Sequence, residues 1–499
     1  MTEAPAHPLD QQAAARRLAP LRQAITDALD GDDARQTWIV GGTVRDALLD
    51  RPLLDVDLVT AGSSEALARR ISRAVQGTAF PLGDDHGCWR IACAEQPGDA
   101  RWAGVLQVDI CELRGADLAA DLAARDFTIN ALAMPIAGDD LAIIDTMGGL
   151  DDLAARIVRM VSVAALDDDP LRLLRAARFA HVLHAKVDAA TAEAIRDRAA
   201  RSAEPAGERT WVELRLLLLN GEARRGWRMV ADLGLEPHLL PELHACRGVT
   251  QSDFHHLDVY EHTLAVLDNA EDMMAAPDFW LPIDEPGLEA APFTEAQRLV
   301  VLLAALCHDL AKPATRSERP DGRVGFGGHD RIGMELVDVI AERWRLSNAV
   351  RGQVRRLVGT HLALGYLLHG SGGARELYRF RRQVEPVAAE AVVLSIADRM
   401  ATSGVADRRT WLRRHLVLGR RAWASIWREA AEGRLVPLLD GTGIAEALGI
   451  APGPQLGVLV AALAEEQAVG AVTTADEARD FVRDYDLSES TTRSPSGST

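Results

Sequence analysis

The sequence lacks several features that would assign it to particular classes of protein. It has no apolar run near the roughly 20 residues that a membrane-spanning helix needs, and its opening MTEAPAHPLDQQAAARRLAP lacks the apolar stretch of a signal peptide. We therefore predict a cytoplasmic protein with no membrane partner. The five cysteines are scattered and include no CxxC pair, so we predict neither a zinc site nor a disulfide framework and interpret them as small buried residues.

Lysine is also scarce, and acidic residues outnumber basic ones. The formal net charge is -18, and the sequence contains just two lysines, Lys186 and Lys312. Because polyanions repel one another, any nucleic-acid site on this chain must be a local patch of arginines, such as Arg224, Arg225 and Arg228. With 499 residues, 48% of them hydrophobic, the chain can bury more than one core.

Hydrophobic periodicity divides the chain into an α/β part and a helical part. Short β-rich runs (TWIV, VDLV, LQVDICEL, LAIIDT) alternate with helical stretches over residues 36–160, and apolar residues recur at helical spacing from about residue 171 onward. Near the C-terminus, Thr474 and Glu477 have the spacing of a capping box that opens a last helix. The pattern predicts an α+β head followed by an all-α body.

The run TWIVGGTVRDALLDRPLLDVDLVT predicts a strand, a Gly41-Gly42 turn, a helix and a second strand that carries Asp55 and Asp57. Because side chains alternate along a strand, these two carboxylates share one face and can hold Mg²⁺ ions that bridge a triphosphate and an attacking hydroxyl. Backbone N–H groups after the glycines can cradle phosphate, with Arg45 nearby. Taken alone, such a carboxylate pair is more often a pair of solvated strand or turn residues, and a Gly-Gly turn is common between elements of any kind.

The whole run resembles the signature of the class II tRNA nucleotidyltransferase and poly(A) polymerase family. The resemblance implies a polymerase β-like nucleotidyltransferase head with a mixed sheet and helices, followed by an all-α neck and body and an all-α HD domain. The later segment LAARDFTINALAM resembles the family's RDFTINA motif. It implies that Arg125 contacts the nucleotide and that Asp126 and Asn130 shape its pocket, although Asp126 fits a helix N-cap equally well.

Two further positions follow the family's order along the chain. Asp145 with Gly148 and Gly149 resembles a loop that is thought to act as a hinge in the family, and it also fits a simple glycine turn. Asp109 in LQVDICELR stands where a strand carboxylate could join the metal pair. The resemblance thus extends over the predicted head.

The segment DDDPLRLLRAARFA carries an aspartate and three arginines at helical spacing. Cytosine and adenine both present an amine beside a ring-nitrogen acceptor, so an aspartate and an arginine together can select them and reject uracil and guanine. The segment resembles the family's (E/D)DxLRxLRAxRF motif, which implies base selection by Asp169 and Arg172 and phosphate contacts by Arg175 and Arg178. Without that context, an aspartate cap and a solvated arginine face explain the pattern equally well.

The second half of the chain contains a histidine and aspartate pattern that resembles the HD superfamily of metal-dependent phosphohydrolases. The resemblance implies a ligand set of His262, His308, Asp309 and Asp398, to which His329 and His361 could add a second metal position. Imidazole and carboxylate ligands together suit a divalent transition metal or Mg²⁺. Related enzymes with this fusion can show phosphatase, 2′-nucleotidase or cyclic phosphodiesterase activity.

One departure from the family pattern concerns a flexible loop. Members that add a full CCA end carry a few dozen residues before the RDFTINA motif, whereas here Arg114 is joined to Arg125 almost directly. In the family, loss of this loop is associated with enzymes that add CC and stop. Addition of CCA, of CC only, of A only, or of poly(A) therefore all stay open.

We predict template-independent, two-metal-ion addition of C, A or both from CTP and ATP to the 3′ end of tRNA, with Mg²⁺ in the head. The alternative from another class is an HD phosphohydrolase whose head only binds RNA or nucleotide. The predicted regions are an N-terminal helical extension (1–30), the head (31–160), a helical RNA-binding neck (161–245), the HD domain (246–430), a C-terminal helical region (431–486) and a disordered tail (487–499).

Overall fold

The computed structural model describes residues 9–83, 87–94, 99–138, 142–251, 256–402, 408–451 and 453–485. The predicted tail, 487–499, and the first part of the predicted N-terminal extension, 1–8, lie outside the described residues. In the described part of the chain, no helix is both long enough and apolar enough to cross a membrane.

The packing of the chain separates two compact units. The described residues of Met1–Pro205, together with Met229–His238, form the first unit, and those of Ala206–Arg228 and Leu239–Thr499 form the second. The first contains a mixed sheet with helices and the second is almost entirely helical, so the predicted fold class is confirmed. The finer domain boundaries stay predictions.

A seven-stranded sheet forms the centre of the first unit, in the order β3-β4-β5-β2-β1-β6-β7. Strands β2 and β5 run parallel, and the other neighbouring pairs run antiparallel. The strands are β1 (Thr37–Val40), β2 (Asp55–Thr60), β3 (Thr78–Pro81), β4 (Trp89–Ala92), β5 (Gln107–Glu112), β6 (Leu132–Pro135) and β7 (Ile144–Asp145). A separate parallel pair joins β8 (Ile157–Val158) to β9 (Lys186–Val187).

Most helices of the first unit begin at an Asp or Ser whose side chain accepts a hydrogen bond from a backbone N–H of the first turn. The helices of this unit are α1 (Gln11–Ala28), α2 (Gly31–Arg35), α3 (Gly42–Leu48), α4 (Ser64–Ala74), α5 (Leu118–Ala123), α6 (Gly149–Ala154), α7 (Val163–Asp168), α8 (Leu171–Val182) and α9 (Ala189–Arg196). Short 3-10 turns occupy Ala100–Trp102, Thr128–Asn130 and Ala199–Ala203.

Two helices, α11 (Ala223–Asp232) and α12 (Glu236–Leu239), contain residues of both units. The second unit contains α10 (Gly207–Leu219), α13 (Pro241–His244), α14 (Val259–Ala275), α15 (Pro277–Trp280), α16 (Glu295–Cys307), α17 (Lys312–Thr315), α18 (His329–Arg343), α19 (Asn348–Thr360), α20 (Ala363–Tyr366), a 3-10 turn (Leu367–His369), α21 (Ala374–Val384), α22 (Ala388–Ala401), α23 (Arg408–Glu432), α24 (Gly441–Leu448), α25 (Pro454–Ala468) and α26 (Ala475–Asp484). A short hairpin joins β10 (Ser317–Glu318) to β11 (Val324–Gly325).

The core of the second unit forms around α16, which is buried on all sides from Leu299 to Cys307 and packs against α14, α19 and α22. A helix that is apolar all round belongs in such a core. At the far end, α26 opens with the predicted capping box, because the side chains of Thr474 and Glu477 each accept a hydrogen bond from the backbone N–H of the other. That prediction is confirmed.

The structure corrects the interpretation of the cysteines. Cys88 and Cys111 form a disulfide, because β4 pairs with β5 in a register that places them opposite each other. Cys246 and Cys307 are buried cysteines outside this disulfide, and Cys93 is half-buried. The prediction of small buried residues is therefore right for two cysteines and wrong for the bonded pair.

Candidate active site

The two predicted metal-binding carboxylates lie on β2, in the middle of the sheet. Asp55 is exposed at the start of the strand, and Asp57 is half-buried two residues further on the same face. The parallel register with β5 sets Asp57 beside Asp109 and Asp55 beside Gln107. Three carboxylates therefore gather on one face of two neighbouring strands.

Burial and the crowding of like charges change the pKa values of these acids. The pKa of Asp57 is raised to about 6: burial is the main cause, the charges of Arg125 and Arg45 oppose the rise, and the charges of Asp109 and Asp55 add to it. Burial and the neighbouring Asp109 also raise the pKa of Asp55. Such a cluster favours the binding of cations, and its oxygen-only donor set suits Mg²⁺.

The third carboxylate already has a strong partner. Arg90 on β4 donates from Nε to Asp109 Oδ1 and from a terminal nitrogen to Oδ2, both at 2.7 Å. Bidentate salt bridges of this kind are the strongest that arginine forms with a carboxylate. In this structure Asp109 is therefore tied to Arg90, on the side away from β2.

Gly41 and Gly42 bring the backbone between β1 and α3 close to the carboxylates. Gly41 has φ +62°, and a Cβ there would lie 2.8 Å from a terminal nitrogen of Arg125. A Cβ on Gly42 would lie 3.2 Å from Asp57 Oδ2. Since a side chain at either position would fill this space, the turn keeps an open cradle beside Asp57.

Four predicted pocket residues form one connected network behind this cradle. Arg45 donates to Asn130 Oδ1 at 2.5 Å, and Asn130 donates to Asp126 Oδ1 at 3.0 Å. Arg175 on α8 donates from Nε to Asp126 Oδ2 at 2.9 Å. Burial would raise the pKa of Asp126, but Arg175 and Asn130 outweigh it and hold that pKa well below its usual range. The structure thus brings together residues far apart in sequence.

A buried aromatic ring supports the arginines of this network. Phe179 is 3% exposed, and the guanidinium carbons of Arg178, Arg45 and Arg175 lie 4.0, 5.1 and 5.2 Å from the centre of its ring. Cation–π attraction favours this arrangement. The predicted phosphate-binding arginines Arg175 and Arg178 therefore lie against the same hydrophobic side chain as Arg45.

The predicted base-selecting pair lies at the start of α8. Asp169 Oδ1 accepts a hydrogen bond from the backbone of Leu171 at 3.2 Å, so it also acts as a helix cap. Arg172 is half-buried and donates to the carbonyl of Ala165 at 3.0 Å. Burial lowers the pKa of Arg172, while the nearby Asp126 and Asp169 favour its charged form. The hydrogen bond from Asp169 to the start of the helix is therefore compatible with a role of Asp169 and Arg172 in base selection.

Asp121, which is fully buried on α5, was not among the predicted site residues. Its Oδ2 accepts hydrogen bonds from Nε and a terminal nitrogen of Arg125 at 3.0 and 2.9 Å, and its Oδ1 accepts from Nε of Arg114 at 3.1 Å. An aspartate four residues before Arg125 on a helical turn was the available signal. Asp121 therefore links Arg125, the predicted nucleotide contact, to Arg114 in the short connection between β5 and α5.

The predicted hinge is a capped helix start. Asp145 accepts hydrogen bonds from the backbone N–H groups of Met147, Gly149 and Leu150 at 2.9–3.1 Å. Gly148 has φ +76°, and a Cβ on Gly149 would lie 2.1 Å from the carbonyl oxygen of Thr128. The glycines are needed here for backbone conformation and close packing. Motion at this point stays a prediction.

In the second unit, the HD-type residues meet in two adjoining groups. His262, His308 and Asp398 have ligand atoms within 4.8 Å of one another, as do Asp309, His329 and His361. Asp309 lies between the groups: its Oδ2 is 3.1 Å from His308 Nε2, and its Oδ1 is 3.4 Å from His329 Nε2. All six predicted ligands are thus brought together, with Lys312 Nζ 2.6 Å from Asp309 Oδ2.

The orientation of the imidazoles fits metal binding. In His308, His329 and His361, Nδ1 lies 2.7–2.9 Å from a backbone carbonyl three residues earlier, which directs Nε2 toward Asp309. Burial, and next the charge of His308, lowers the pKa of His361 to about 4, so this ring is neutral at physiological pH. Neutral imidazoles with carboxylates are the donor set of a divalent transition metal or Mg²⁺.

The arginine patch predicted to bind tRNA is largely neutralised. Arg224 pairs with Asp268 at 2.9 Å, and Arg228 pairs with Glu261 at 2.5 Å. Arg225 pairs with a glutamate three residues earlier. These arginines therefore offer a weaker positive surface than the sequence indicates.

Family models match three stretches of the chain. Residues 37–159 match the poly A polymerase head domain, residues 186–247 match a probable RNA and SrmB-binding site of polymerase A, and residues 259–403 match the HD domain. Nucleotidyltransferase and HD domains generally use divalent metal ions. The first and last matches cover the carboxylate cluster of the head and the histidine cluster of the second unit.

Similarity to known proteins extends over nearly the whole chain. It is 35% identical over 451 residues to the A-adding tRNA nucleotidyltransferase of Deinococcus radiodurans, covering 89% of this chain and 94% of that one. It is 34% identical over 455 residues to the CC-adding tRNA nucleotidyltransferase of Thermus thermophilus, covering 90% and 93%. The fold matches a solved CCA-adding enzyme in complex with ATP, with a TM-score of 0.61, 19% identity and 97% and 96% coverage. The chain therefore belongs to the tRNA nucleotidyltransferase family and is a nucleotidyltransferase.

Proposed function

We propose that the head adds nucleotides from CTP or ATP to the 3′ end of tRNA without a nucleic-acid template. The terminal hydroxyl of the RNA attacks the α-phosphate, a new phosphodiester bond forms, and pyrophosphate leaves. The observation that carries this proposal is the placement of Asp55 and Asp57 beside the Gly41-Gly42 cradle. Relatives that bear the names of A-adding and CC-adding enzymes support it.

Asp55 and Asp57 would hold two Mg²⁺ ions. Bound there, the ions would neutralise charge on the triphosphate and favour the ionised form of the attacking hydroxyl. Arg125, whose positive charge lowers the pKa of Asp57, would also bind phosphate oxygens of the nucleotide. The fixed network around Asp126 would keep these groups in place, so little reorganisation is needed when the nucleotide binds.

Base selection is proposed for Asp169 and Arg172. The carboxylate of Asp169 would accept from the exocyclic amine of cytosine or adenine, while Arg172 would donate to the ring nitrogen. Uracil and guanine present a carbonyl in place of that amine, so an aspartate facing it would be left unpaired. The pocket therefore needs no template strand.

We further propose that addition stops short of a full CCA end. Residues 113–117 form the whole connection between β5 and α5, and Asp121 fastens Arg114 within it. In the family, a flexible loop at this point accompanies complete addition. The A-adding and CC-adding relatives are matched over 93–94% of their own length, which supports a partial activity.

The deciding experiment offers tRNAs that end before CCA, after C and after CC to the purified enzyme, with CTP and ATP separately. We expect either two cytidylates or one adenylate to be added, and sequencing of the products tells which. Incorporation of all three nucleotides by this enzyme alone would refute partial addition. The double variant Asp55→Ala with Asp57→Ala should incorporate nothing, whereas Asp32→Ala, at an exposed carboxylate, should retain full activity.

A second activity is proposed for the HD cluster, because all six ligand residues converge there. It would hydrolyse a phosphoester such as a 2′,3′-cyclic nucleotide in the presence of a divalent metal ion. His308→Ala should abolish this hydrolysis and leave nucleotide incorporation intact, and the double aspartate variant of the head should do the reverse. Hydrolysis that survives in His308→Ala would exclude the cluster as its site.

A further inference from the structure

Asp121 is a buried acid with a partner on each oxygen. Its side chain is 1% exposed. Oδ1 accepts from the backbone N–H of Arg114 at 3.2 Å and from Nε of the same residue at 3.1 Å. Oδ2 accepts from Nε and one terminal nitrogen of Arg125 at 3.0 and 2.9 Å. One carboxylate thus holds two arginines that lie 11 positions apart in the sequence.

The charge on Asp121 is held in place by these partners. Burial alone would raise the pKa of its carboxyl, but Arg125 and Arg114 outweigh burial and keep the pKa below its usual value. The group is therefore ionised at neutral pH. Removing one partner of such a buried network leaves a costly unpaired charge.

One of the two arginines faces the triphosphate side of the proposed nucleotide site. Arg125 uses Nε and one terminal nitrogen to bind Asp121. Its other terminal nitrogen is the atom 2.8 Å from where a Cβ on Gly41 would sit. The charge of Arg125 also opposes the rise in the pKa of Asp57. By binding this edge of the guanidinium group, Asp121 directs the other terminal nitrogen of Arg125 toward the Gly41-Gly42 cradle.

The other arginine lies in the short connection that precedes α5. Arg114 belongs to the connection between β5 and α5. Its positive charge contributes to the lowered pKa of Arg172, after burial, which is the main cause. Its terminal nitrogen donates to the carbonyl of Ala124 at 3.5 Å. The connection is thereby fastened at its start to the helix that follows it.

We propose that Asp121 is a positioning residue for the nucleotide: it holds Arg125 toward the Gly41-Gly42 cradle, where the triphosphate would bind, and at the same time holds Arg114 in the connection between β5 and α5. The inference rests on the proposed transfer of nucleotides by the head. The proposed phosphate contact and the short connection between β5 and α5 therefore share one anchor.

Asp121→Asn keeps the shape of the side chain, removes its charge and places an amide donor against arginine donors. We expect KM for the nucleotide that the enzyme uses to rise about tenfold or more, with kcat changed less than about threefold, because the aligned Arg125 binds the triphosphate before and during the reaction. Steady-state incorporation into truncated tRNA at saturating tRNA measures both constants.

Asp117→Asn is the matched control. Asp117 is an exposed aspartate that caps the same helix by accepting from Ala120 at 2.9 Å, and asparagine caps equally well. We expect its KM and kcat to equal those of the wild type. If Asp121→Asn raises KM no more than this control, or lowers kcat alone, the positioning role is refuted.

A double-mutant cycle with Arg125→Ala separates positioning from a general structural effect. If Asp121 acts through Arg125, adding Asp121→Asn to Arg125→Ala should raise KM further by less than about threefold. If the fold-increase in KM of the double variant equals the product of the increases in the two single variants, the proposal is overturned. If Asp121→Asn fails to fold, Asp121→Glu decides instead: it keeps the charge but displaces it, so KM should rise, and an unchanged KM refutes the role.

Failure of the underlying function has a different outcome. A wild-type enzyme that incorporates neither CMP nor AMP into any truncated tRNA would refute nucleotide addition itself. A wild-type enzyme that incorporates nucleotide, alongside an Asp121→Asn variant with unchanged constants, would refute only the positioning role of Asp121.

Discussion

Replacing Asp57 with asparagine should make the metal-free protein more stable at neutral and alkaline pH, although it removes a proposed metal ligand. The reason is the raised pKa of this carboxyl, which goes from 3.8 to about 6. Because the folded pKa exceeds the unfolded one, the folded state prefers the protonated acid. Its contribution to stability is fully present below about pH 4 and is lost as the pH rises through about 6.

The size of the effect follows from this shift. Two pKa units correspond to at most about 3 kcal/mol, since each unit is worth about 1.4 kcal/mol. Asp57 is only half-buried, so solvent screening reduces the expected gain to about 1–2 kcal/mol. For a unit of this size, that gain raises the melting temperature by about 3–6 °C.

The assay is differential scanning calorimetry of the full chain in chelator, following the transition in which the head melts, at about pH 8 and about pH 5. Asp57→Asn should melt higher than the wild type at the upper pH, and the difference should shrink at the lower one. Asp32→Asn, at a carboxylate whose side chain is 83% exposed, should match the wild type at both. The reasoning is refuted if Asp57→Asn melts no higher than the wild type at the upper pH, or if its melting temperature exceeds that of the wild type by the same amount at both pH values.

Other features of the structure lead to three further expectations. Asp145→Ala removes the acceptor of three backbone N–H groups and should lower the free energy of unfolding by about 2–3 kcal/mol in urea titrations. Denatured protein without reductant should show three reactive thiols of its five cysteines, and all five after reduction, because Cys88 and Cys111 are bonded. Asp309→Asn should lower the metal content of the purified protein, measured by elemental analysis, while incorporation of nucleotide stays unchanged.

Features set by neighbours along the chain were predictable from the sequence. The alternation of side chains on a strand places Asp55 and Asp57 on one face, and the spacing of Thr474 and Glu477 gives a capping box. Both depend on a few consecutive residues whose geometry is fixed by the local backbone.

Features set by strand register and by burial were not predictable in this way. The bond between Cys88 and Cys111 requires the alignment of β4 on β5, which no local pattern specifies. The partnership of Arg90 with Asp109 depends on the same alignment. Asp121 was missed because its importance comes from full burial between two arginines, and a sequence does not display burial of a charged residue.

The ring of Phe179 has an evolutionary consequence. Three guanidinium groups rest against this one buried side chain. A change in its size or shape moves all three cations together and leaves every charged residue of the motif unaltered. Descendants of such an enzyme can therefore drift in their affinity for the triphosphate through one hydrophobic position of the motif, while every arginine and aspartate of the motif is retained.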